Sequence, residues 1–588
     1  MDVFPALAAD ETGVVTLPQL WRRRCAQWGD RPALRHKERG IWKGLAWGQY
    51  FSEARAIGMA MADAGLEPGD VVSLLSDNRP EWLVADIAAQ SMGFVSHGIY
   101  PCSTAAQVGH ALREAGSRVV IVENADQLVK VLAAREACPG LRQIVVIETR
   151  GLRRFTDPQV SSYEDLRARG TAAADREPGQ FDARIDAGTG GQIAFLGSTA
   201  GSTAAARLVA VRHDEFVPEL RTPRHWLRLL SGDRVLSIVS LAHHGERLLT
   251  AKAMLMHESL VHFPENQTTV LNDLLEVAPH FVFATPRFFE KLQGVTELFM
   301  QGAIPVARRA YAASLAASRP RWWHRMTRKR VRSGLGLQNV RLALTGGAST
   351  PAQVADWFDA IGVPMFDGYG LAERHLLRGA SGPVARRCTL ARRARRAAEA
   401  GVRRRDRGQR DALAPWLLGT RSAAACATDA DGWLRTGDLG RIDEHGRVRL
   451  LGRVGARVVG SQGEAISPEI AEDAFRLSAY IADAVVVRAQ DGRWAGLLAL
   501  DEERIRHYAQ QHKLHFTDYA SLLGLSEINS LVAAQVEIAN ERLSDSHRVR
   551  SIQIIPHALR PGDEELTPAL RLKREVVAHR YADLLEMH

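Results

Sequence analysis

Residues 197–209, GSTAGSTAAARLV, carry the chemistry of an anion cradle. Gly201 and its small neighbours let successive backbone N–H groups turn toward one point. Thr199, Ser202 and Thr203 add hydroxyl donors, and Arg207 adds a positive charge. Such a turn can hold phosphate oxygens. Its spacing matches no Walker-A loop, and by itself a turn of this composition also serves as a plain connection. IAFL at 193–196 directly precedes it and reads as a strand, so the loop falls where a strand ends. That is where open α/β sheets bind their ligands.

The elements that must position the loop follow from periodicity. EARAIGMAMADAGL (53–66) has helical spacing, VVSLLS (71–76) is a buried-strand run, VADIAAQSMG is helical again, and SRVVIVEN reads as a strand. The pattern returns with RVLSIVS (234–240), HFVFATP (280–286) and VRLALTGG (340–347), each an apolar run ended by Gly, Pro or Ser. This alternation predicts helices packed on largely parallel sheets. From Trp433 the texture changes to short strands and turns, with Glu444-His445-Gly446 between two strand-like halves, and a smaller domain is expected to start near Arg453.

A chain of 588 residues is too long for one core. Its start, MDVFPALAADETG, is acidic where a targeting peptide is basic, and no long apolar run follows, so a cytoplasmic protein is expected. Five scattered cysteines give no zinc spacing and no redox pair. The net charge of +9 invites a nucleic-acid reading, yet residues 386–410 alone hold eleven arginines against Glu399 and Asp406 and so account for all of it. No aromatic side chains interleave with those arginines as stacking platforms, and no nucleic-acid partner is expected.

Further stretches occur in a fixed order: GIYPCS (98–103), SLAHHGERLL (240–249), FATPRFFEKL (283–292), TGGAS (345–349), DGYGLAE (367–373), DGWLRTGDLGRIDEHG (431–446), LLGR (450–453) and ISPEIAE (466–472). Together they resemble the acyl-adenylate-forming superfamily, specifically its bacterial long-chain fatty acid–CoA ligases. FTDYASLL (516–523) and ELTPALRLKREVVAHRYADLLE (565–586) resemble that subfamily's C-terminal signature. The resemblance covers nearly the whole chain apart from about 384–418.

The resemblance implies an α/β fold: a large N-terminal domain with mostly parallel sheets, spanning 1–452, and a small mobile α+β domain over 453–588. It implies that a long-chain fatty carboxylate attacks the α-phosphate of ATP, and that coenzyme A then takes the acyl group and releases AMP. Mg2+ would neutralise the phosphates. Thr199 and Glu373 take the family's metal positions. Thr199, Gly201, Ser202, Thr203 and Arg207 take the phosphate loop; Gly346, Gly347, Ala348, Tyr369 and Gly370 line the adenine; Asp438 accepts from the ribose hydroxyls, and Arg453 reaches the ribose or phosphate. Arg571 and Lys573 compete for the place of the adenylation lysine, and His243 shapes the acyl channel. Peripheral contact with the inner membrane face is the most membrane association this reading carries.

The family's loop reads Thr-Ser-Gly-Thr-Thr-Gly-x-Pro-Lys-Gly, and this chain has lost glycine at Ala204 and Leu208, proline at Ala206 and lysine at Arg207. Ala372 replaces a hydroxyl beside Glu373, and Gly455 and Ala456 replace the Lys and Asp of the family's hinge. Two alternatives fit the same residues: an acyl-AMP ligase that hands its product to a carrier protein, and a pseudo-ligase that binds without turnover. Residues 384–411 are expected to lack a packed fold, either as an insert or as the product of a frameshift in GC-rich DNA.

Overall fold

The computed structural model describes residues 13–198, 207–221, 227–347, 350–371, 374–381, 405–408, 417–418, 434–442, 448–453, 458–459, 465–466, 468–488, 494–557, 559, 563–566 and 572–583. Two eight-stranded sheets dominate it. One runs, in spatial order, Arg374–Ser381, Met365–Leu371, Leu342–Gly346, Phe281–Ala284, Arg234–Leu236, Leu260–Phe263, Pro32–Glu38 and Ile41–Ala46. Its interior pairings are parallel and both edges are antiparallel. The other runs Leu417–Leu418, Leu208–Arg212, Ile193–Ser198, Val95–Ile99, Val71–Leu75, Ser117–Val122, Gln143–Val146 and Val160–Ser162. It is parallel from Ile193–Ser198 onward.

One apolar core joins the two sheets. Val72, Leu74 and Phe195 of one and Leu34, Val235, Phe281 and Leu344 of the other share it with Trp21, Trp47 and Trp82 from the helices between. Strands buried on both faces read as continuous apolar runs, which is why VVSLL and SRVVIV were legible. The helix Trp47–Asp63 begins before the apolar spacing that marks it, because Gln49 closes the first turn on the Ala46 N–H at 3.0 Å. It lies against Tyr163–Arg176 so closely that a Cβ on Gly170 would sit 1.7 Å from the Ala56 carbonyl oxygen, and only glycine permits that approach. RVLSIVS yields only the short strand Arg234–Leu236; the Ser237 N–H still bonds the His262 carbonyl at 2.9 Å, and its side chain makes contacts described below.

The C-terminal region forms a third, α+β unit. Ile481–Arg488 and Trp494–Leu500 pair antiparallel, Val549–Ile554 joins in parallel, and Pro468–Arg476, Glu502–Gln511 and Ser526–Asn540 cover them. It has its own core around Phe475, Trp494, Leu498, Ile505, Leu522 and Val532. Leu434–Ile442 and Val448–Arg453 form the hairpin expected around Glu444-His445-Gly446. The expectation that 384–411 would lack regular structure fails at Arg405–Gly408, which pairs antiparallel with Leu434–Ile442. The ladder is made by main-chain N–H and C=O groups, which an arginine-rich tetrad still carries. The rest of 384–411 lies outside the described residues.

Candidate active site

Five of the motif stretches, GIYPCS, SLAHHGERLL, FATPRFFEKL, TGG and DGYG, come together at or just beyond strands of the two sheets. Ile193–Ser198 leads into the Gly/Ser/Thr-rich loop, and Leu208–Arg212 returns antiparallel, with Ser198 opposite Leu208 and Gly197 opposite Val209. The loop is therefore the tip of a hairpin. No helix N-terminus follows it, so backbone N–H groups, hydroxyls and Arg207 must supply whatever anion affinity it has. Arg207 is exposed at its exit. Thr199, Gly201, Ser202 and Thr203 lie outside the described residues, as do Ala348, Glu373 and Arg571.

The base of this hairpin is held by the helix His244–His257. His244 stacks on Phe195 at 5.6 Å between ring centroids, and the Arg247 guanidinium lies 3.8 Å over the same ring. Arg247 is fully buried and ion-pairs with Asp86, which also accepts from Ser96 and, at 3.0 Å, from the Gln90 amide. An arginine without its charge partner at such depth would be costly; Asp86 and two aromatic faces offset the desolvation. One residue earlier, Glu246 is as deeply buried but meets only hydroxyls, Ser237 at 2.6 Å and Thr250 at 3.2 Å. Burial pushes its carboxyl up to about 8 against those hydrogen bonds.

His243 caps this helix, its Nδ1 accepting from the Gly245 N–H at 3.1 Å. Its ring lies 6.3 Å from that of Phe283, and Phe283 Cε2 lies 3.6 Å from where a Gly346 Cβ would stand. The same Cβ would be 3.0 Å from the Gly368 carbonyl oxygen, and Gly347 has φ +84°. The small residues of TGG are thus demanded by close backbone approach to the neighbouring strand, and Gly346 is cross-strand partner to Gly368, next to Tyr369 and Gly370. From the other sheet, a Cβ on Gly98 would fall 2.9 Å from Ala242 Cα, which brings GIYPCS against SLAHHG. These contacts link His243, through Phe283, to Gly346 and the strand that carries Gly368, Tyr369 and Gly370.

Asn78, which the sequence reading did not single out, ties the two sheets together beside these stretches. It follows the strand Val71–Leu75 and crosses to the other sheet's loop. Its amide donates to Ser237 Oγ at 2.9 Å and to the Val239 carbonyl at 2.6 Å, and its Oδ1 accepts from the Leu241 N–H at 2.8 Å. No local pattern announces this, because every partner lies more than 150 positions away in sequence. Asp438 and Arg453 are directly opposed in the antiparallel hairpin, so two residues 15 apart in sequence share one rung. Lys573 sits at the start of Arg574–Arg580, with its Nζ donating to the Glu564 carbonyl at 3.0 Å. Among the described residues no three of His, Cys, Asp and Glu converge as a metal site.

The C-terminal unit meets the large body on the helix Pro286–Gln301, part of FATPRFFEKL. The Arg504 guanidinium occupies the space where a Gly294 Cβ would stand, and Arg542 donates to Gln353 at 3.2 Å. Glu290 on that helix is pushed up to about 7 by burial, against the pull of Arg476 across the contact.

The family model of AMP-binding enzymes matches residues 21–393. The long-chain-fatty-acid–CoA ligase FadD15 of Mycobacterium bovis is 27% identical over 93% of this chain and 92% of its own. The long-chain-fatty-acid–CoA ligase heimdall of Drosophila melanogaster is 25% identical over 97% and 94%. In fold, the chain is similar to the A domain of carboxylic acid reductase from Segniliparus rugosus, solved with AMP, at TM-score 0.73 and 16% identity over 97% and 94% of the two chains. It is also similar to ATP-bound MatB from Rhodopseudomonas palustris, at TM-score 0.63 and 16% identity over 97% and 100%. The match of that family model to residues 21–393, more than half of the chain, makes the chain a member of the AMP-binding enzyme family, whose enzymes form adenylates.

Proposed function

We propose that the chain activates a long-chain fatty acid with ATP and transfers it to coenzyme A, with adenylation as its slow half. The observation that carries the reading is the meeting of the loop-bearing hairpin, His243, Phe283 and the Gly346–Gly368 pair at one set of strand ends. It is supported by the length over which the fatty-acid ligases align.

In this reading the fatty carboxylate attacks the α-phosphorus and pyrophosphate leaves. Thr199, Ser202, Thr203 and Arg207 hold the phosphates, and their N–H and O–H donors meet charge as it spreads in the transition state. Mg2+, held by Glu373 and Thr199, would supply further charge neutralisation when bound. Tyr369 and Gly370 face the adenine against Gly346, Gly347 and Ala348, while Asp438 and its cross-strand neighbour Arg453 take the ribose side. Arg571 or Lys573 completes the charge; Lys573 must first release the Glu564 carbonyl. His243 shapes the acyl channel, and Asn78 and Glu246 position it by fixing the loop before its helix. The unit beyond Arg453 rotates about a hinge at Gly455 between the half-reactions, and the Arg504–Gly294 contact is broken in the turn.

The test is pyrophosphate release driven by a long-chain fatty acid, with and without coenzyme A. Ala204→Gly, Ala206→Pro and Arg207→Lys together should raise the rate by roughly 10²-fold at saturating ATP, and Glu373→Ala should abolish it. Transfer from supplied acyl-AMP to coenzyme A should hardly change in the restored loop. If neither form releases pyrophosphate and both bind acyl-AMP, the chain is a pseudo-ligase; if release occurs but coenzyme A is not an acceptor, it loads another thiol.

A further inference from the structure

Between Leu298 and Gly334 the chain holds nine Lys and Arg and no Asp or Glu. The structure sorts the nine into two groups. Arg328 turns inward to the Ser314 and Ala317 carbonyls, and Arg332 to the Gly362 carbonyl at 3.1 Å. Arg308, Arg309, Arg319, Arg321, Arg325, Lys329 and Arg330 are exposed, and among the described residues none of these seven forms an ion pair.

Apolar side chains are exposed in the same stretch. Of fourteen exposed large apolar residues among the described residues, seven fall between Val295 and Met326. Phe299, Ile304 and Val306 are 75%, 71% and 72% exposed at the turn from Pro286–Gln301 into Pro305–Ala316, and Trp322 is 73% exposed on Trp322–Gly334. Trp322, Arg325, Met326 and Lys329 stand at i, i+3, i+4 and i+7 and so form one stripe of that helix. The other side is anchored: His324 is buried and accepts from the Arg321 N–H at 2.9 Å, and Val331 packs on the core beneath. The helix is thus held from within and offers tryptophan, methionine and cations to the outside.

We propose that this face docks on the surface of a bilayer containing anionic lipid, with Trp322 and Met326 entering the headgroup boundary and the cations meeting the lipid phosphates. Unpaired cations select an anionic occupant. Exposed Trp, Met, Phe, Ile and Val select one that also offers apolar depth, which a nucleic acid or an acidic soluble surface does not. The argument is independent of the acyl substrate.

The experiment is co-sedimentation of the full chain with phosphatidylcholine vesicles made with or without phosphatidylglycerol. Binding is expected only with the anionic lipid. Arg321→Gln, Arg325→Gln and Lys329→Gln together should weaken it by roughly 100-fold at low salt. Trp322→Ala with Met326→Ser should weaken it by roughly 10-fold and remove the part that survives high salt. Both variants change exposed side chains, and an unchanged melting curve confirms folding. Brominated phosphatidylglycerol should quench the parent's fluorescence more than that of Trp322→Phe. No binding to anionic vesicles overturns the proposal. So does binding that neither variant weakens, which would place the contact elsewhere, or charge-dependent binding indifferent to Trp322 and Met326, which would mark a purely polyanion-binding face.

Discussion

Arg247 and Arg325 both sit on helices of the large body, and the molecule surrounds them in opposite ways. Arg247 is sealed between Asp86, Ser96 and the rings of Phe195 and Trp82, in the seam against the strand Ile193–Ser198. Arg325 projects from a helix whose neighbours add only more cations and apolar side chains. A buried charge must be matched on the spot or the fold does not form. An exposed one costs nothing unmatched and keeps its field for a partner. Pairing therefore separates arginines that hold the structure from arginines available for contact, a distinction whole-chain charge does not make.

Four variants probe that contrast. Arg247→Ala leaves Asp86 buried without its cation and should destabilise the large body by about 3–5 kcal/mol, read as a fall in its urea midpoint. Arg247→Met with Asp86→Leu should restore most of the loss. A double variant as unstable as the single one would mean that Arg247 matters for packing on Phe195 rather than for charge.

Glu246 gives a smaller effect with a definite sign. Its carboxyl stands at 4.5 when unfolded and about 8 when folded, so between those values the folded state holds a proton that the unfolded state has lost. Stability falls as pH rises through that window. Glu246→Gln should match the parent below pH 4.5 and exceed it by roughly 2–4 kcal/mol above pH 8. His97 and His213, lowered to about 3 by burial, make both proteins lose stability as pH falls below 6.5, and the difference between variant and parent cancels them. A difference curve flat across pH 5–8 would show that Glu246 is ionised in the seam.

The smallest effect is expected on the exposed face. Arg325→Gln with Lys329→Gln should shift stability by less than about 0.5 kcal/mol, since neither side chain has an ionic partner among the described residues. A larger loss, measured in the same urea titration, would mean that these cations are structural and that the contrast with Arg247 is false.

Much of the frame could be read without coordinates. Strands buried on both faces announce themselves as apolar runs, so Val71–Leu75, Ser117–Val122, Phe281–Ala284 and Leu342–Gly346 were found where expected. RVLSIVS forms a strand only over Arg234–Leu236, because from Ser237 on its backbone and side chains bond Asn78 of the other sheet, a contact no local pattern shows. The basic stretch from Leu298 to Gly334 was equally legible, but equal numbers of charges outside 386–410 concealed it until position was considered. The burial of Glu246 beside the paired Arg247 carried no signal at all, since adjacent charged residues in a helix usually face water.

The sequence by itself determined the alternation of strand and helix, the small residues at the strand ends, and the order of the motif stretches, because those depend on periodicity and on steric room at single positions. Only the tertiary structure decided that the loop closes as a hairpin, that Asn78 ties one sheet to the other, that Glu246 meets hydroxyls while Arg247 meets Asp86, and which cations stay exposed. Pairing and burial belong to two chain segments at once, and residues such as Asn78 and Ser237 acquire a partner only when the sheets close on their common core.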